Sequence, residues 1–251
     1  MRRGALALRI CAALSVAVSV ASVGALAQAG AGSASSPPMA GSMQLGAPAP
    51  APIGFLRFCA RRPDQCGLDP TEAGADLETQ LVGRYYWGVT FQAEPAAFDV
   101  GVARREPSAA MRAPLSLTGV EFANLADLNQ RINHAIRYES DIKQFGVADY
   151  WTLPLDGAGR GAGDCKDYVL EKRRALTDAG VPLDDLSIAI VRTGFGETHA
   201  VLLVATDQGE LVMDSLSPRI MRWSEVRYTW IERQAPGRQL AWVKVAPRQN
   251  P

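Results

Sequence analysis

Gly157-Ala158-Gly159-Arg160-Gly161-Ala162-Gly163-Asp164-Cys165-Lys166-Asp167-Tyr168 is the stretch whose reading decides the fold. Glycines at alternate positions lead into a lone cysteine, and from there Tyr168, Val169, Lys172, Leu176 and Ala179 recur on one side of a helix that Gly180 and Pro182 stop. Cys165 is therefore expected in the first turn of that helix, with Glu171-Lys172-Arg173-Arg174 supplying mixed charge. A cysteine there is either a small buried thiol of a core helix or a nucleophile. The position favours the second reading, because unpaired amides and the macrodipole at a helix start stabilise a thiolate. The same amides can hold the oxyanion of a tetrahedral intermediate. The glycines leave room for a peptide to approach; Asp164 opposes a neighbouring thiolate and Lys166 offsets part of that.

On either side of this stretch the pattern predicts an α+β fold. Upstream, Thr118 can cap a helix over 120–138 whose Leu125, Leu128, Ile132, Ala135 and Ile136 form one apolar stripe. Asn129 and Asn133 lie on a neighbouring face, and His134 reads as structural or solvated. Downstream, 186–192 and 198–206 are apolar runs, Asp207-Gln208-Gly209 turns the chain and 210–214 returns; 221–223, 228–233 and 240–245 are further short strands. Helices followed by an antiparallel sheet are expected, with the nucleophile at a helix N-terminus packed on that sheet.

A thiolate nucleophile needs a base, and histidine is the side chain that moves protons near neutral pH. His199 begins a strand after the turn Thr193-Gly194-Phe195-Gly196, and Asp214 ends the next strand as the natural orienter of the imidazole. A simple hairpin puts Asp214 opposite Leu202, which leaves about 10 Å along the strands at ~3.3 Å per residue. A longer turn, a bulge or strong twist must close that gap; otherwise Glu197 or Asp207 takes the orienting role.

The rest of the chain concerns address and tether. Residues 1–27 combine Arg2-Arg3, an apolar stretch and the small-residue triplet Ala25-Leu26-Ala27, the parts of a signal peptide cleaved after Ala27. Residues 28–53, rich in alanine, glycine, serine and proline, are expected to be a disordered linker, and 54–251 to be the folded domain, with 71–112 as an insertion. Within that insertion, 81–91 reads as a strand or hairpin and Arg104, Arg105 and Arg112 as a solvated face. The formal net charge of +0 and the lack of a long basic run exclude an extended nucleic-acid surface. In an oxidising compartment Cys59 and Cys66 are close enough to close a short disulfide loop worth about 2 to 3 kcal/mol. With 2 histidines, His134 and His199, a zinc site of the usual spacing cannot be assembled.

Gly163-Asp164-Cys165-Lys166-Asp167-Tyr168, Lys172-Arg173-Arg174, Thr198-His199-Ala200-Val201-Leu202 and Leu211-Val212-Met213-Asp214-Ser215 resemble the bacterial transglutaminase-like cysteine peptidases. Leu128 to Asn133, Tyr150 to Pro154 and the Cys59 to Cys66 segment are similar to the family as well. The resemblance implies a papain-like, transglutaminase-like fold with Cys165 as nucleophile, His199 as general base and Asp214 as orienter. It implies a periplasmic or secreted endopeptidase, a surface adhesin as protein substrate and an inner-membrane receptor that sequesters the enzyme. It also implies a calcium site that includes Asp164 and Asp167. Here Lys166 stands where many members carry glutamate, and an ammonium in place of a carboxylate should weaken or abolish calcium binding. Two other readings stay open at this point: acyl transfer to an amine by the same triad, and an inactive envelope-binding module.

Overall fold

The computed structural model describes residues 43–68 and 115–247. In chain order they form β1 (Leu45–Ala49), α1 (Ile53–Arg61), a 3-10 turn (Pro63–Cys66), α2 (Gly119–Ala135), β2 (Ile136–Tyr138), α3 (Asp141–Phe145), β3 (Gly161–Gly163) and α4 (Cys165–Asp178). A second 3-10 turn (Leu183–Asp185) leads into β4 (Leu186–Arg192), β5 (Thr198–Thr206), β6 (Gly209–Met213), β7 (Met221–Arg222), β8 (Thr229–Ala235) and β9 (Arg238–Val245). The expectations for 1–27, for the strand-like run at 81–91 and for the rest of the insertion lie outside the described residues.

The apolar runs of β4 and β5 have no polar face because the sheet is covered on both sides. Leu186, Ile188, Ala200, Leu202 and Val204 point to one face, where they meet Phe55, Leu56 and Phe58 of α1 and Val169, Leu170 and Leu176 of α4. The alternate residues Ala189, Val191, Val201 and Leu203 point to the other, against Val226 and Trp230. This period-2 division is what a strand buried on both faces requires. The resulting sheet has the order β1-β9-β8-β4-β5-β6-β7, and its paired strands run antiparallel. An antiparallel sheet with helices packed on it is the mixed architecture expected of an α+β chain.

Two expectations need correction. The linker does not run to residue 53: β1 pairs with the edge of β9, Leu45 opposite Val245 and Ala49 opposite Trp242, and Met43 is buried. Composition suggested too little apolar surface to order this segment, but an edge strand is held by backbone hydrogen bonds to its neighbour, and its proline is tolerated at an edge. The second concerns α2, which ends at Ala135 rather than 138, because residues 136–138 pair in parallel with Gly161–Gly163 instead. Its start is as expected, with the Thr118 hydroxyl accepting from Glu121 N–H and the Glu121 carboxylate accepting from Thr118 N–H. The charge on α4 lies largely inside the fold: Lys166, Asp167, Glu171, Lys172 and Arg173 are all buried. Each anchors the helix or lies sealed beneath it, as with Arg173, whose guanidinium donates to the Gln65 carbonyl at 2.7 Å and packs over the Phe55 ring.

Cys59 and Cys66 are joined by a disulfide that ties the end of α1 to the 3-10 turn. Two of the glycines before Cys165 have a packing reason rather than an access reason. A Cβ on Gly161 would lie 2.0 Å from the Pro154 carbonyl oxygen, and one on Gly163 would lie 2.7 Å from an Asp167 carboxylate oxygen. Gly161→Ala must therefore push the 154–155 backbone off β3, with an expected loss of stability of about 1–3 kcal/mol or more. Urea unfolding measures it; an unchanged midpoint would show that the strand does not need this close approach.

Candidate active site

The candidate site forms where the start of α4 meets the start of β5. Asp164 is the N-cap of α4: its carboxylate accepts from Lys166 N–H, while the Asp167 carboxylate reaches back to Asp164 N–H at 3.0 Å. Asp167 also accepts from Thr152 N–H at 3.0 Å, and Glu171, one turn on, accepts from Leu155 N–H at 2.9 Å. The segment before β3 is thereby laced to the first two turns of the helix. Its other end is fastened to α1 through Asp149, which accepts from both Gly54 N–H and the Trp151 indole. Cys165 follows the cap, half-buried and not disulfide-bonded.

His199 and Asp214 do come together, and without a bulge. The turn between β5 and β6 is tight, Thr206 pairs with Gly209, and the register runs unbroken to Leu202 opposite Met213. Continued by one residue, that register puts Asp214 opposite Val201, so His199 is its diagonal neighbour, a separation of about 7–8 Å that long side chains bridge. The His199 Nε2 to Asp214 Oδ1 distance is 2.7 Å. The expected gap was overestimated because the turn holds one residue fewer than was assumed and the side chains reach diagonally. Asp207 instead takes the Ser116 hydroxyl at the other end of the hairpin, and Glu197 is exposed.

Electrostatics fits an imidazolium at this place. Burial opposes the charge on His199, but the hydrogen bonds its ring makes to Asp214 and Cys165, reinforced by Coulombic attraction, outweigh it and hold its pKa at about 9. Since Nε2 is committed to Asp214, Nδ1 is the nitrogen left for the thiol. Burial likewise opposes the Asp214 carboxylate, and His199, Leu216 N–H and the Tyr228 hydroxyl keep it below its usual range nonetheless.

Two groups around Asp214 were not singled out for it. The Tyr228 hydroxyl donates to Asp214 Oδ2 at 2.7 Å, and its ring stands edge-on to the imidazole at a centroid distance of 6.0 Å. In the sequence it marked only the start of a strand, and nothing in strand periodicity separates it from a core aromatic. Asn133 on α2 donates to the Asp214 carbonyl at 2.9 Å and Asn129 to the Ser217 carbonyl at 2.9 Å, so the polar pair noted on that helix clamps the turn after β6. His134, next to Asn133, is exposed. Lys172 on α4 is fully buried without a hydrogen-bond partner for its amine, and burial draws it down to about 7 against the pull of Asp214.

The carboxylates at the start of α4 have a third companion. Asp141, the first residue of α3, joins Asp164 and Asp167, with one oxygen of each within 4.8 Å of the others, a spacing that can hold a metal ion. Lys166 reaches into the same group, with Nζ 2.6 Å from Asp141 Oδ2 and 2.6 Å from Asp164 Oδ1. Burial works against the ammonium, yet Asp167, Asp141 and Asp164 together keep its pKa above the ordinary lysine value. Burial also raises Asp164 and lifts Asp167 to about 7. Calcium takes 6–8 oxygens, and here most of the carboxylate oxygens are already engaged: both Asp167 oxygens by backbone N–H groups, Asp141 Oδ2 by Lys166 and by Tyr150 N–H, and Asp164 Oδ1 by Lys166. The set does not fit that ion.

Residues 103–250 match the family described as bacterial transglutaminase-like cysteine proteinase. Among solved structures, calcium-bound LapG of Legionella pneumophila is 27% identical, with a TM-score of 0.40 over 48% of this chain and 67% of that one. The EGTA-treated form is 25% identical, with a TM-score of 0.41 over 54% and 72%. Comparison with curated protein sequences gives no match.

The raised value at His199 has a definite pH signature. Because the folded-state value of about 9 exceeds the ordinary value of about 6.5, the stabilisation it brings is complete below the latter and is lost as pH rises through the former. Asp214→Asn removes the stronger of its two partners and leaves Cys165 alone against burial. NMR titration of the His199 ring should then show its pKa falling well below the wild-type value of about 9; an unshifted value would show that Asp214 does not hold the imidazolium.

Proposed function

The chain belongs to the bacterial transglutaminase-like cysteine proteinases, and on that premise we propose an exported cysteine endopeptidase that works through Cys165, His199 and Asp214 on a protein of the cell surface. The observation that carries this reading is the buried 2.7 Å bond between His199 and Asp214 beside a thiol at a helix start. In the first step the Cys165 thiolate attacks a peptide carbonyl; a C–S bond forms and the carbonyl π electrons move to oxygen. Lys166 N–H is occupied by Asp164, so the Cys165 N–H is the helix-start donor for that oxyanion. Collapse breaks the C–N bond, and the His199 imidazolium gives its proton to the leaving amine. His199, now neutral, then takes a proton from water as the water oxygen attacks the thioester; the C–S bond breaks, and the acid and the thiolate–imidazolium pair are restored.

Asp214 acts through His199 by fixing the ring and stabilising its charge, and Tyr228 acts through Asp214. Export is supported by the signal-peptide pattern of residues 1–27 and by the Cys59–Cys66 disulfide, a bond suited to an oxidising compartment. A large surface adhesin as substrate and a sequestering inner-membrane receptor follow from the family resemblance. Among the described residues no helix is long and apolar enough to cross a membrane. Calcium has no part in this mechanism.

Cys165→Ala should keep its circular dichroism spectrum and lower hydrolysis by about 10⁴-fold or more. Incubating wild-type and variant protein with cell-surface fractions and sequencing the released fragments reads this directly. Release by the variant equal to that by the wild type would end the mechanism.

A further inference from the structure

Three carboxylates that meet in a nearly dry pocket repel one another and need a cation between them. Asp141 is 2% exposed and Asp167 0%, and they come from different elements, so the cation decides whether α3 stays against the start of α4. The chain supplies it. Lys166 extends from the first turn of α4 with its side chain 8% exposed and reaches Asp141 and Asp164 at 2.6 Å each. Because Asp141 Oδ2 also accepts from Tyr150 N–H at 2.6 Å, the ammonium ties α3 and the Tyr150 segment to the residue next to Cys165. One carboxylate oxygen of the group, Asp141 Oδ1, is buried without a hydrogen-bond partner. With both Asp167 oxygens, Asp141 Oδ2 and Asp164 Oδ1 already engaged, the oxygens left over fall far short of the shell that calcium needs.

We infer that Lys166 is a built-in replacement for a divalent cation, which locks α3 to the nucleophile helix and makes the site independent of calcium. A metal in such a place would couple the start of α4 to the concentration of the free ion. A covalently attached ammonium has no such dependence, so the fold around Cys165 is held permanently and cannot be switched by chelation. The inference needs only the geometry of the cluster, not the identity of the substrate.

The experiment uses the wild-type protein, Lys166→Met, which keeps the length and removes the charge, and Lys166→Glu, which supplies a fourth carboxylate. Thermal unfolding is followed in EGTA and in millimolar calcium, and calcium chloride is titrated calorimetrically. Wild type is expected to unfold at the same temperature in both buffers and to give no binding heat. Lys166→Met should unfold several degrees lower in EGTA. Lys166→Glu should be weakened further in EGTA and regain several degrees with calcium, with a measurable binding heat. Calcium-dependent stabilisation of wild type, or a Lys166→Met midpoint in EGTA equal to that of wild type, would overturn the inference. Neither readout involves hydrolysis, so a protein that behaves as expected here yet cleaves nothing would fail the peptidase assignment alone.

Discussion

The position of the first turn of α4 is the constraint on which the rest of the site depends. A thiol gains from a helix start only if the helix begins at that residue and stays there, and here the start is held from several directions. Asp164 and Asp167 cap it, Lys166 ties it to Asp141, and Glu171 and Asp167 hold the chain segment that precedes it. Further along, buried Arg173 joins the helix to the disulfide loop through the Gln65 carbonyl. Nearly all of this work is done by charged side chains with low exposure, which are costly to bury unless paired. That cost is why their partners are so completely specified.

The second partner of the site is the sheet. A tight β5–β6 turn sets the register, the register makes His199 and Asp214 diagonal neighbours, and Asn133, Leu216 N–H and Tyr228 hold Asp214 in place. The pair therefore depends on backbone geometry rather than on a flexible loop. Such preorganisation keeps the reacting groups aligned before a substrate arrives.

Much of this was legible in the sequence because it rests on local signals. The cap Thr118, the stop at Gly180 and Pro182, the apolar runs of β4 and β5, and the glycine-led cysteine each depend on residues near one another. What could not be read depends on distant pairing. Residues 45–49 look like linker until β9 offers them an edge, and residues 136–138 continue a helical stripe until Gly161–Gly163 lie beside them. Asp141 carries no sign of its nearness to Lys166, and Tyr228 none of its bond to Asp214. Lys166 was legible as a departure from relatives, but its role was not, since no spacing rule says where a long flexible side chain ends.

The central claim is that Cys165 is a nucleophile activated by His199, and covalent trapping tests it most directly. Purified protein is treated with a peptidyl epoxide, which alkylates an activated cysteine thiolate, and the adduct is located by peptide mass mapping. Stoichiometric modification of Cys165 in the wild type, with the rate falling sharply in His199→Ala, is the predicted result. A thiol that stays unmodified, or one that reacts at the same rate without His199, would contradict the assignment and return Cys165 to the status of a structural cysteine.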